Sequence, residues 1–129
     1  MLSFVTLCVE DLNGMLAFYR DAFGLKVKFV HESGQYAEMD TGATVLAFSQ
    51  TELASSLITC GYEKASLTRK PGNILIGIEP EDVRQTLHAA LSHGATLVAD
   101  AELKPWGWLS AMVRDPEGNV VEIAREVRE

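Results

Sequence analysis

The sequence predicts an α+β fold: two tandem βαβββ units whose curled mixed sheets pair around a cleft, with the helices on the outer side. Three observations lead there. Residues 4–11, Phe-Val-Thr-Leu-Cys-Val-Glu-Asp, run into a helical stretch ending at Gly24; residues 73–82, Asn-Ile-Leu-Ile-Gly-Ile-Glu-Pro-Glu-Asp, run into another ending at Gly94. Residues 40–48 likewise return as residues 115–123. Matched positions lie 69 residues apart (Phe4 and Asn73), then 71 (Asp11 and Asp82), then 75 (Ala47 and Glu122), an offset that drifts only with loop length. A whole supersecondary unit is therefore duplicated. It divides a single domain over residues 1–129 into unit one at 1–49, a linker at 50–72 and unit two at 73–129.

Each element has its own signal. Phe4–Val9 is short, apolar and partly β-branched, the pattern of a buried strand. Asp11 is a good N-cap, Leu12, Met15, Leu16, Tyr19 and Phe23 follow at helical spacing, and Gly24 closes the helix. Strands at 26–31, 35–39 and 44–49 are punctuated by Ser33-Gly34 and Thr41-Gly42. In the linker, Glu52, Leu53, Leu57 and Ile58 form a short helix, and residues 64–70 are basic and mobile. Unit two repeats the order: a strand at 73–78, a helix at 81–93 with Val83, Leu87, Ala90 and Leu91 on one face, and strands at 96–99, 108–114 and 119–124. Asp115-Pro-Glu-Gly is the turn before the last strand.

Strand parity assigns the faces. Val5, Leu7 and Val9 pack under a helix while Phe4, Thr6 and Cys8 point away; Ile74, Ile76 and Ile78 contrast in the same way with Asn73, Leu75 and Gly77. Leu109, Ala111, Val113, Val121 and Ile123 face the helix, leaving Trp108, Ser110, Met112, Arg114, Val120, Glu122 and Ala124 on the opposite side. That opposite side is mostly apolar with a few polar groups, the character of a small-molecule cleft.

Composition bounds the function. A net charge of −7 excludes a polyanion-binding surface, so no nucleic-acid partner is expected. No apolar run is long enough to span a membrane, and Met1-Leu-Ser-Phe lacks the features of a signal peptide. Cys8 and Cys60 form no redox or metal pair and read as reduced thiols, which places the protein in the cytoplasm.

The paired units, the Asp-Leu helix start followed by Phe18-Tyr19 and Gly24-Leu25, and Asp115-Pro-Glu-Gly-Asn-Val-Val-Glu122 resemble one family over essentially the whole chain. It is the vicinal oxygen chelate superfamily, which includes glyoxalases, bleomycin-resistance proteins, thiol transferases and extradiol dioxygenases. Metal-dependent members carry His and Glu ligands on the first and fourth strands of each unit. The resemblance maps those positions to Phe4, Ala47, Asn73 and Glu122, of which only Glu122 is a good donor. No metal and no other cofactor is therefore expected. The resembling families also pair their chains, and exposed strand edges and cleft walls point the same way, to a homodimer.

Among single residues, Glu122 is either a cleft carboxylate available to a cationic ligand or an acid paired with Arg114, Lys26 or Lys28. His31, His88 and His93 read as surface histidines. Cys8 has no activating neighbour in sequence and reads as a small lining residue. Trp106 and Trp108 are the best recognition surfaces, since an indole offers a large flat contact and attracts cations. The expected ligand-binding set is Phe4, Cys8, Asn73, Trp106, Trp108, Met112, Arg114 and Glu122, with no catalytic residue and no metal ligand. The favoured function is a metal-free small-molecule binding protein whose ligand is aromatic or cationic. The alternatives are a lyase, thiol transferase or dioxygenase drawing an unusual metal set from Glu122, Glu38, His31 and Cys8, and an interaction module whose dimer surface matters most.

Overall fold

A computed structural model describes residues 1–127. The elements run β1 (Phe4–Val9), α1 (Leu12–Phe23), β2 (Lys26–Val30), β3 (Tyr36–Asp40), β4 (Val45–Gln50), α2 (Thr51–Leu57), β5 (Leu75–Ile78), α3 (Val83–Ser92), β6 (Thr96–Leu103), β7 (Trp108–Arg114) and β8 (Val120–Glu126). The order is βαβββ twice, joined through α2 and the linker. No helix among the described residues is long and apolar enough to cross a membrane.

Both helices start on the aspartates their sequences offer. Asp11 accepts from the Gly14 amide at 3.0 Å, and Asp82 from the Gln85 amide at 3.0 Å. Such caps are worth about 1 kcal/mol each. Gly24 ends α1 in the left-handed region at φ 71°, where a side chain is disfavoured. Leu12, Met15, Leu16, Phe18, Tyr19 and Ala22 form the buried face of α1, and Val83, Leu87 and Ala90 that of α3; Leu91 stays exposed.

The strands form two four-stranded mixed sheets, ordered β1-β4-β3-β2 and β5-β8-β7-β6. In each, the first strand pairs parallel with the fourth and the remaining pairs are antiparallel. The second sheet thus repeats the order of the first.

The expectation of curled sheets around a cleft is corrected here. Each sheet is an open four-stranded ladder, and no strand of one bonds to a strand of the other, so neither closes or wraps into a shared wall. The edge strands β1, β2, β5 and β6 each remain unpaired on one side. α1 packs on the first sheet, α3 on the second, and the two helices pack on each other. One core results, joining Val9, Leu46 and Phe48 of unit one to Val113, Val121 and Ile123 of unit two. At its centre Phe18, Tyr19, Phe23 and Phe48 make ring contacts at 5.2–5.6 Å. Full burial of each large side chain contributes roughly 1.5–3 kcal/mol.

A polar clamp fixes how the units meet. Asp115, fully buried in the β7–β8 turn, accepts from the Tyr19 hydroxyl of α1 at 2.7 Å. The same carboxylate accepts from the amides of Glu117, Gly118 and Asn119 and from the Asn119 side chain. Glu117 then accepts from the amides of Glu10 and Asp11 at 2.8 and 2.9 Å. The Asp115-Pro-Glu-Gly-Asn turn of unit two therefore organises the β1–α1 junction of unit one.

Strand β6 runs four residues beyond its expected end at Ala99. Its register against β7 breaks between Leu97 and Ala99 and again between Ala99 and Glu102, which destroys the period-two pattern that marks a strand.

Candidate functional site

The sheet faces turned away from the helices are built by simple alternation. On β7, Leu109, Ala111 and Val113 belong to the core side, leaving Trp108, Ser110, Met112 and Arg114 on the open side. Glu122 on β8 lies between Gly77 of β5 and Met112 of β7, with Ala99 of β6 beyond. It accepts from the Ser110 hydroxyl at 2.6 Å, where the sequence pointed to a cationic partner. Arg114 is turned to the backbone: its guanidinium donates to the Gly118 carbonyl at 2.9 Å and to the Ser66 carbonyl at 2.7 Å. It tethers the linker to the β7–β8 turn. Gly118, at φ 104°, lets the linker approach so closely that a Cβ there would sit 2.9 Å from Arg114 and from the Ser66 backbone.

The first sheet presents a parallel arrangement. Thr6, Ala47, Glu38 and Phe29 form one row across β1, β4, β3 and β2. A register shift at Lys28 brings Phe29 opposite Glu38. Glu38 accepts from the Tyr36 hydroxyl at 2.7 Å and lies 4.0 Å from the Lys28 ammonium. Burial, then the hydrogen bond and charge of Glu38, push the Tyr36 phenol up to about 12, so it serves as a donor at neutral pH. Each open face thus carries one carboxylate held by a neighbouring hydroxyl, suited to orienting a cationic or hydrogen-bonding group. The hydroxyl partners are the features sequence reading missed; for Glu122 the partner is 12 positions away.

The eight expected ligand residues do not form a single group. Trp108, Met112 and Glu122 share the open face of the second sheet, each half-buried. Trp106 lies in the β6–β7 turn, 66% exposed. Phe4 begins edge strand β1, 59% exposed. Cys8 and Asn73 instead line a separate cavity of about 480 Å³ between β1, β5 and the linker. Burial pushes the Cys8 thiol up, which keeps it protonated. His31, His88 and His93 are all exposed.

The donor set does not fit a divalent metal. Of the four positions assigned by resemblance, Phe4 and Ala47 have no side-chain donor atom, Asn73 is exposed and lines the linker cavity, and Glu122 is engaged with Ser110. Among the described residues no three His, Cys, Asp or Glu side chains converge as metal ligands.

Comparison with known proteins agrees with this architecture. The family model described as "Glyoxalase/Bleomycin resistance protein/Dioxygenase superfamily" matches residues 2–123. The Bacillus subtilis (strain 168) protein "Uncharacterized protein YraH" is 28% identical over 121 residues, 92% of this chain and 93% of that protein. A solved glyoxalase-related enzyme from Fulvimarina pelagi superposes with a TM-score of 0.83 at 21% identity, covering 96% of this chain and 86% of that one. A glyoxalase/bleomycin resistance protein/dioxygenase family enzyme from Burkholderia phytofirmans PsJN does so with a TM-score of 0.77 at 26% identity, covering 98% of each. With its duplicated units and 122 matched residues, the chain belongs to the Glyoxalase/Bleomycin resistance protein/Dioxygenase superfamily.

Proposed function

We propose that the chain is a metal-independent small-molecule binding protein. Its ligand is partly aromatic and lies on the open face of the second sheet, with a cationic or hydrogen-bonding group meeting Glu122. One observation carries this reading: of the four superfamily ligand positions only Glu122 offers a good donor, and it already accepts from Ser110. Among the described residues the remaining candidates for an unusual metal set, His31, Glu38, Cys8 and Glu122, do not converge as a group of three. What the face does offer is an indole, a thioether and one oriented carboxylate, a recognition surface rather than a reacting centre. A thermal-shift screen of aromatic and cationic metabolites and antibiotics, repeated in excess EDTA, tests it. Ligands are expected to stabilise the protein equally in both conditions; hits that vanish with EDTA would refute metal independence.

The working form is a homodimer in the cytoplasm. A single chain leaves Phe4, Phe29, Leu75, Leu103 and Trp106 between 45% and 66% exposed, together with four edge strands, β1, β2, β5 and β6. Surfaces of that kind are ordinarily covered. A second copy laid across the open sheets supplies the second wall that a bound ligand requires. Sedimentation velocity at micromolar concentration is expected to give a dimer, and a monomer alone would contradict it. The free thiols of Cys8 and Cys60 accord with a reducing compartment.

A further inference from the structure

The four sheet edges are protected unequally. The outer strands β2 and β6 carry register breaks and charged residues, Lys26 and Lys28 on one and Asp100 and Glu102 on the other. Such features discourage a further strand from pairing. The inner strands β1 and β5 have neither: their sequences hold no charge and their registers run unbroken.

Both inner edges border cavities, and the two cavities correspond under the duplication. Residues 5–8 of β1 line the first together with Gly118, Asn119 and Val120; residues 74–78 line the second together with Ala43, Thr44 and Val45. These two turn segments lie 75 positions apart, the offset that relates Ala47 to Glu122. The cavities differ in what runs alongside. The β1 edge is flanked by the linker, which Arg114 pins through the Ser66 carbonyl and Lys64 through Glu10. Among the described residues no such segment borders the β5 cavity.

Residues 74–78 line that second cavity consecutively, so side chains of both parities and the backbone between them face it. Gly77 has only backbone to present. Ile74 is 75% exposed and Leu75 47%. The opposite wall is made by Val5, Val45 and Leu46 with the turn before them, and no charged side chain enters the lining. The space between the walls, about 520 Å³, has room for an extended chain, whereas the edge of a folded sheet would meet residues 41–46 before reaching β5.

We propose that this slot receives an extended, uncharged segment of another protein, which joins the second sheet as a strand beside β5. The free N–H and C=O groups of β5 form the ladder, and alternate apolar side chains of the segment lie on the aliphatic walls. The occupant needs neither Trp108 nor Glu122, so it stands apart from the small-molecule reading of the open face.

Titration calorimetry with an acetylated, amidated heptapeptide of alternating valine and threonine tests this. The peptide is expected to saturate at one per chain. The same peptide N-methylated at every residue keeps its side chains and loses every ladder donor, and should bind at least about tenfold more weakly. Ala43→Trp, in the exposed turn across the slot, should abolish binding at an unchanged melting temperature; Glu32→Trp, in an exposed turn elsewhere, should leave binding unaltered. Hydrogen exchange supplies the location: bound peptide should slow the amides of β5 and not those of β6. Equal binding of the two peptides, no saturable binding, slowing at β6 in place of β5, or indifference to Ala43→Trp would each overturn the proposal. So would β5 amides that slow in the free protein as its concentration rises, since a second copy would then be filling the slot.

Discussion

Asp115→Ala is expected to be the most damaging single substitution in the chain, lowering stability by roughly 3 kcal/mol or more. The carboxylate is fully buried and takes five donors: the Tyr19 hydroxyl, three turn amides and the Asn119 side chain. Removing it strands the Tyr19 hydroxyl in the core and frees the turn that positions Glu117 over the start of α1. Domain stabilities of about 5–15 kcal/mol leave little margin for such a loss. Urea unfolding measures it as a lower midpoint at an unchanged slope. Tyr19→Phe should cost less, about 1–3 kcal/mol, since it removes one donor and leaves the turn amides in place. If both substitutions were neutral, the clamp would not be what joins the units.

The clamp also sets a pH dependence. Burial, followed by the charge and hydrogen bond of Asp115, holds the Tyr19 phenol well above its ordinary value. The folded state therefore favours the protonated phenol more than the unfolded chain does. Its contribution is whole below about pH 10, where an unfolded tyrosine ionises, and is lost as pH rises toward the folded-state value. Stability of the unmodified chain should thus fall above that pH more steeply than stability of Tyr19→Phe, as alkaline denaturation followed by circular dichroism would record.

The second large effect is on recognition. Trp108→Ala should weaken a ligand of the open face on the order of thirtyfold, because truncating a central aromatic anchor costs ~2 kcal/mol or more. Trp108 is half-buried and shares its face with Ser110, Met112 and Glu122, two residues along β7 from the Ser110 hydroxyl that holds the carboxylate. His88→Ala, on the exposed side of α3, should leave affinity unchanged. Equal effects from the two substitutions in a titration would remove the open face from consideration.

Much of the fold was legible because duplication acts as an internal alignment and because alternation survives where strands are regular. Strand β7 occupies the residues its pattern marks, 108–114, and its parity places Trp108, Met112 and Glu122 on one face. Strand β6 was half hidden because two register breaks interrupt its alternation. The bulge at Lys28 likewise concealed that Phe29 lies beside Glu38. Curl was misjudged for a different reason. It depends on how two complete units meet, through Tyr19, Asp115 and Glu117, and local periodicity carries no record of contacts 96 or 107 residues apart. The same limit split the expected cleft. Cys8 sits on edge strand β1 and Asn73 lies two residues before β5 begins at Leu75, and both line the cavity beside the linker.

Metal independence is tested most directly by elemental analysis of protein purified without chelator. The expected result is far less than one zinc, nickel, manganese or iron per chain, unchanged by Glu122→Ala, because Phe4, Ala47 and Asn73 supply no set of donors to join Glu122. A near-stoichiometric metal that disappears with Glu122→Ala would contradict it.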